Sequence, residues 1–207
     1  MRIKGFGYLP DLPSIRDLTP ESKDVPSSRL LKAAEPPVRK MLRDVGADKI
    51  VEELPRSIDL RRWCTPVEQQ GALGSCTAQA AAALLEYFEF RSFGTYVDAS
   101  RLFIYKNSRR IAGLTGDSGS YIRSTMEAIT AFGAPPEEYH PYNVAEFDKE
   151  PDMFCYAYGQ NYKAVSYYRL DPSGVYGTIL LARIKTNLAA GLPSMFGFTV
   201  YSSFSQA

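Results

Sequence analysis

The sequence predicts an α+β protein whose helices precede its strands. A long alanine-rich stretch from Cys76 to Phe90 has the composition of a buried helix, and apolar residues recur at helical spacing over residues 121–132. Residues 163–170 and 194–200 are richer in β-branched and aromatic side chains, as strands are. With 45% apolar residues among 207, the chain is long enough to bury a sizeable core.

Local signals mark where these elements begin and end. Ser75 stands where an N-cap residue begins a helix. Further helices are predicted over residues 100–110 and over residues 178–190, where Gly191 ends the second of them. The prolines between residues 134 and 160 predict a loop.

Charge and cysteine usage exclude several classes of function. The formal net charge is +1, so electrostatics give no reason to expect a nucleic acid or a membrane surface as a partner. Three cysteines and one histidine suggest neither a disulfide scaffold nor a four-ligand zinc site, and we expect no metal and no cofactor. The N-terminus lacks the apolar run of a signal peptide, which predicts a cytoplasmic location.

Residues 1–55 differ in composition from the rest of the chain. Charged residues are dense there, apolar residues are sparse, and prolines recur. The prolines are Pro10, Pro13, Pro20, Pro26, Pro36, Pro37 and Pro55. This composition predicts an extended N-terminal pro-segment or strap over residues 1–55, followed by one folded domain over residues 56–207.

The residues around Cys76 predict nucleophilic chemistry. A loop containing glycine delivers this thiol to the first turn of the long helix, where the helix dipole and the unpaired N–H groups favour a thiolate and lower the thiol pKa. Gln70 lies six residues upstream, so its amide could form an oxyanion hole together with the Cys76 N–H group. The alternative interpretation of a lone cysteine near a helix start is a small buried apolar residue.

The segment Gln70-Gly71-Ala72-Leu73-Gly74-Ser75-Cys76 resembles the Gln-Gly-x-Cys-Gly-Ser-Cys-Trp block of papain-like cysteine peptidases. Weaker similarities to the same family follow in order along residues 55–204. They are Ser57-Ile58-Asp59-Leu60-Arg61, Thr65-Pro66-Val67, Ser118-Gly119-Ser120-Tyr121, Tyr139-His140-Pro141-Tyr142 and Gly191-Leu192-Pro193-Ser194.

The resemblance implies a papain-like fold, with a helical left domain around a central helix and an incomplete antiparallel β right domain. It implies a peptide or protein substrate, cleaved by a Cys76 thiolate with Gln70 in the oxyanion hole. The substrate-binding residues that it implies are Gly74, Ser118, Gly119, Ser120 and Ile122. In this family, N-terminal pro-segments cross the cleft in the non-productive direction.

The chain departs from the family pattern at three positions. Leu73 replaces a cysteine of the first family disulfide, and Asp117 stands in the region of its partner. Thr77 replaces the tryptophan that follows the nucleophile, which makes the block similar to a divergent, bacterial-type branch. Cys64 and Cys155 are then interpreted as structural or incidental thiols.

The family mechanism also needs a histidine and an asparagine, roughly 130–150 residues after the cysteine. His140 is the one histidine of the chain and comes far too early to be that base. We therefore expect the histidine and asparagine from a downstream segment or a second chain, and residues 1–207 alone to be inactive. Two alternatives remain open: an inactive papain-like module that binds peptide in its cleft, and an unrelated α+β binding protein.

Overall fold

The computed structural model describes residues 7–14, 17–22, 38–51 and 53–199. Within these ranges the helices are α1 (Val38–Asp44), α2 (Cys76–Phe93), α3 (Arg101–Ile111), α4 (Ile122–Ala131), α5 (Met153–Gly159) and α6 (Gly177–Ala189). Two short strands are present, β1 (Tyr8–Leu9) and β2 (Ser120–Tyr121). Of the helices in the described part of the chain, none combines the length and the apolar character needed to cross a membrane.

Helix α2 is the centre of the fold, as the sequence predicts. Its alanines let neighbouring elements approach closely, and Ala78, Ala81 and Ala82 are almost fully buried. The helix ends at Gly94, whose left-handed backbone lets its N–H bond the Phe90 carbonyl oxygen. Helices α3 and α4 pack against α2 and against each other, and together they form the main core.

A smaller apolar cluster joins the N-terminal segment to the end of α6. Val38 and Leu42 of α1 are buried with Ala47, and Tyr168 and Leu192 pack against them. The N-terminal segment is therefore in contact with the folded domain at this point.

The two strands form a parallel pair that brings the beginning of the chain to the start of α4. Tyr8 lies opposite Ser120 and Leu9 lies opposite Tyr121. The pairing adds only two residues of sheet, so its main effect is to place residues 7–9 beside the loop that precedes α4.

Residues 163–170 and 194–199 form no strand in the described structure, so these predictions are wrong for that range; Val200 lies outside it. Their side chains favour an extended backbone, but a strand also needs a neighbour with which to exchange hydrogen bonds. The predicted antiparallel β part is therefore not formed among the described residues, where Ala99 and Pro136 make an isolated antiparallel bridge.

Helix α5 lies within the stretch predicted as a loop. Asp152 caps it by accepting a hydrogen bond from the Phe154 N–H at 2.8 Å, and Cys155 is buried in its first turn. The prolines at 135, 136 and 141 stand well before this cap, and Pro151 directly precedes Asp152, so none of them lies inside the helix.

Candidate active site

Cys76 is the first residue of α2, at the end of a loop that runs from residue 64 to Ser75. Ser75 is fully buried, but its side chain does not cap the helix as predicted. Its hydroxyl instead bonds the Tyr142 hydroxyl at 2.6 Å. The N–H groups of Cys76 and Thr77 at the helix start act on the Cys76 thiol.

The pKa of the Cys76 thiol is raised in this structure, so the predicted lowering is wrong here. Burial is the largest effect and disfavours the thiolate. The backbone N–H groups of Thr77, Cys76 and Tyr8 favour the thiolate and offset that effect only in part. The Tyr8 contribution shows that the N-terminal segment reaches the thiol.

Gln70 lies inside the turn that leads to Cys76. Its side-chain Nε2 donates to the Leu73 carbonyl oxygen at 2.5 Å. The backbone carbonyl oxygen of Gln70 accepts a hydrogen bond from the Tyr142 hydroxyl at 2.8 Å. These two bonds fix Gln70 within the turn that leads to Cys76.

The N-terminal segment passes through a narrow cleft between Gly74 and Gly119. The Ser120 N–H donates to the Gly7 carbonyl oxygen at 2.8 Å. A Cβ atom on Gly7 would overlap the Gly74 carbonyl group, and one on Gly119 would overlap the Gly7 carbonyl group. Because Gly7, Gly74 and Gly119 carry no side chains, the backbone of the N-terminal segment can pass between the two cleft walls beside Cys76.

The remaining predicted substrate-binding residues have different surroundings. Ser120 is fully buried, and its hydroxyl bonds the Ser124 hydroxyl at 3.1 Å. Ser118 is exposed and donates to the Gly119 carbonyl oxygen. Ile122 and Tyr8 both line a cavity of about 860 Å³. The residues whose backbone meets the N-terminal segment are therefore different from the residue whose side chain lines the cavity.

Hydrogen bonds join the two cleft walls where the family has a disulfide. The Asp117 carboxylate accepts the Gly74 N–H at 2.8 Å and the Tyr105 hydroxyl at 2.7 Å. The Tyr105 oxygen in turn accepts the Gly119 N–H at 3.1 Å. Burial, with the Asp117 carboxylate, raises the pKa of Tyr105, which stays protonated as the donor.

A cluster of ion pairs fixes the N-terminal segment beyond the cleft. Arg123 of α4 bonds Asp17 at 2.7 Å, and its backbone N–H bonds the Asp11 carboxylate at 2.9 Å. Arg169 lies 3.5 Å from the same Asp17 carboxylate. Burial opposes ionisation of Asp17, but bonds from Arg123 outweigh it and lower the Asp17 pKa. This anchor is thus fully present above the ordinary pKa of 3.8 and is lost as pH falls below it.

The other two thiols and the histidine have separate surroundings. Cys64 is exposed, Cys155 is buried, and neither is in a disulfide. Burial, followed by the charge of Lys149, lowers the pKa of His140, while Glu146 and Glu150 act in the opposite direction. The charges that act on His140 therefore come from residues 146–150.

Four residues beside the candidate site were not assigned a role from the sequence. Tyr142 belongs to the motif of residues 139–142 and Asp117 stands opposite Leu73, but neither pattern indicates a role in the site. The sequence places Tyr105 in a predicted helix and Gly7 in the N-terminal segment, and it indicates no further role for either residue. Only the long-range contacts bring these residues to Cys76.

Substitution of Gly119 by valine is expected to raise KM roughly tenfold or more for a peptide substrate, with a smaller effect on kcat. The backbone at Gly119 has φ of +79°, and a side chain there would occupy the path of an extended peptide. Gly116→Val is the matched control, because Gly116 also has a positive φ but faces open space. Equal KM values for the two variants would place the substrate path elsewhere.

Known proteins that resemble this chain include a viral protein and a bacterial protease, although no family model matches the chain. An uncharacterised peptidase C1-like protein of Acanthamoeba polyphaga mimivirus is 30% identical over 209 aligned positions, which cover 97% of this chain and 63% of that protein. Xylellain, a cysteine protease from Xylella fastidiosa, has a similar fold with a TM-score of 0.64 and 30% identity, over 91% of this chain and 64% of its own. The chain thus spans less than two thirds of each relative.

These similarities confirm the predicted fold class, since the matched structure has the same arrangement over nine tenths of this chain. By sequence and by fold, the chain is similar to papain-like cysteine peptidases, and both similarities support that family for it.

Proposed function

We propose that this chain carries the nucleophile and the oxyanion-binding loop of an enzyme that hydrolyses peptide bonds. One observation supports this most strongly. An extended segment of peptide, Gly7–Leu9, lies in the cleft beside Cys76 and is hydrogen-bonded to the cleft wall at Ser120. A cleft that holds the chain's own backbone next to a thiol has the shape needed to hold a substrate backbone there.

In the proposed reaction, the Cys76 sulfur attacks the carbonyl carbon of the scissile bond after a base has taken its proton. Negative charge then develops on the carbonyl oxygen, where the Cys76 N–H and the Gln70 amide would stabilise it. The protonated base gives its proton to the departing amine, and water later hydrolyses the thioester.

The base and the residue that orients it are proposed to lie outside residues 1–207. The groups that hydrogen-bond the Cys76 thiol are the backbone N–H groups of Thr77, Cys76 and Tyr8, and His140 is surrounded by the charges of residues 146–150. Both relatives are more than a third longer than this chain. A histidine and an asparagine from additional sequence would supply the proton transfer.

We also propose that the N-terminal segment masks the site until it is displaced. It runs parallel to β2, it adds a bond to the Cys76 thiol, and it is fixed by the Arg123 cluster. Tyr8 lines the same cavity as Ile122, and its ring lies against Gly197. A substrate would have to remove these contacts before it could reach Cys76.

Gly7→Val is expected to unmask the site and to raise both hydrolysis and Cys76 labelling about tenfold or more. The added side chain would overlap the Gly74 carbonyl group, and the φ of +89° disfavours it further. The control is Gly46→Val, because Gly46 has φ of +74° in the same N-terminal segment but nothing within 4 Å. Equal rates in Gly7→Val and wild type would refute masking by this segment.

The experiment that tests the peptidase proposal is an assay of the protein expressed from its complete reading frame with fluorogenic dipeptide substrates. Hydrolysis that is blocked by a peptidyl epoxide is the expected result. The second candidate is a peptide-binding module without activity, which the raised pKa of the Cys76 thiol favours. Such a module would bind the same peptides and leave them intact.

A further inference from the structure

The loop from Glu68 to Ser75 has no helix or strand to fix its shape, yet it holds the amide proposed to bind the oxyanion. The hydroxyl oxygen of Tyr142 forms hydrogen bonds to both ends of the turn within this loop, at Gln70 and at Ser75. The Tyr142 hydroxyl lies 2.8 Å from the Gln70 carbonyl oxygen and 2.6 Å from the Ser75 hydroxyl. A carbonyl can only accept, so Tyr142 donates its hydrogen to Gln70 and accepts the hydrogen of Ser75.

Tyr142 is itself held at its backbone and at its ring. Its backbone N–H donates to the Glu137 carboxylate at 2.7 Å, and the Arg101 guanidinium lies over its ring at 4.6 Å from the centroid. Arg101 is almost fully buried and pairs with Glu137 at 2.8 Å and with Glu68 at 2.7 Å. The same group of side chains thus holds the loop at residues 68, 70 and 75.

We propose that Tyr142 is a positioning residue that sets the Gln70 amide at the distance an oxyanion requires. This inference rests on the proposed peptidase function and adds a residue to it. An oxyanion hole acts only when its donors are held in place before the reaction, and a displacement of about 1 Å can lower a rate by about 10²-fold. The Tyr142 hydroxyl bonds Gln70 and Ser75, so Tyr142 would act through Gln70.

Tyr142→Phe tests this, because it removes the hydroxyl and keeps the ring beneath Arg101. We expect kcat to fall about tenfold to thirtyfold while KM stays within about twofold. Inhibition by a peptide aldehyde, whose thiol adduct presents an oxyanion, should weaken by a similar factor. Alkylation of Cys76 by iodoacetamide, which forms no oxyanion, should be unchanged.

Tyr156→Phe is the matched control. The Tyr156 hydroxyl bonds Asn107 at 3.1 Å and Glu150 at 3.0 Å, so its loss removes comparable hydrogen bonds away from the loop. Ser75→Ala is the second variant. It keeps the bond between Tyr142 and Gln70, and we expect it to lower kcat less than Tyr142→Phe does.

Two results would overturn the inference while leaving the peptidase proposal intact. One is a kcat for Tyr142→Phe no lower than that for Tyr156→Phe. The other is a parallel loss of iodoacetamide alkylation and of aldehyde binding, which would make Tyr142 a general support of the thiol. A wild-type protein that hydrolyses no peptide would overturn both proposals. This outcome is distinguishable from the other two because it is measured on the wild type alone, without any variant.

Discussion

Replacement of Cys76 by alanine is expected to abolish peptide hydrolysis in any active form of the protein, with a loss of about 10⁴-fold or more. The reaction proposed here passes through a covalent thioester, and neither of the other two thiols can replace the one at the start of α2. Cys64 is exposed on the surface, and Cys155 is buried with its sulfur toward the Tyr139 carbonyl oxygen. The measurement is kcat/KM for a fluorogenic dipeptide.

Cys64→Ala is the control for this experiment, since it removes an accessible thiol outside the cleft. Its activity should equal that of the wild type. Retention of activity in Cys76→Ala, or loss of activity in Cys64→Ala, would show that Cys76 is not the nucleophile.

Gln70→Ala is expected to lower kcat by about 10²–10³-fold with little change in KM, because it removes a donor to the oxyanion. The variant also removes the bond to the Leu73 carbonyl oxygen, so the melting temperature has to be measured beside the kinetics. Gln69→Ala is the matched control, because the neighbouring glutamine is exposed. Turnover by Gln70→Ala within a few-fold of the Gln69→Ala value would exclude Gln70 from the site.

The helical part of the fold could be predicted from local sequence. The alanines of α2, the spacing of Ile122, Met126 and Ile129 in α4, and Gly191 after α6 each carry their own signal. The strand predictions were wrong because an extended segment becomes a strand only when another chain segment pairs with it. The pairing that does form, between β1 and β2, joins residues more than a hundred positions apart.

The candidate site could be predicted only in part, for a similar reason. The motif around Cys76 locates the thiol and Gln70, since both belong to one short loop. Burial raises the thiol pKa while the Tyr8 N–H acts in the opposite direction, and the loop shape depends on Tyr142. Neither the Tyr8 contact nor the Tyr142 contact is local in sequence. The replacement of a disulfide by Asp117 and Tyr105 likewise requires three segments to meet.

The most direct test of the account is the site at which a peptidyl epoxide labels the protein, mapped by mass spectrometry in the wild type and in Gly7→Val. Exposure alone favours Cys64, whereas a peptide-binding cleft with an activated nucleophile favours Cys76. We predict label on Cys76, formed faster in Gly7→Val than in the wild type and at the wild-type rate in Gly46→Val. Label on Cys64 instead, at the same rate in all three proteins, would contradict the account.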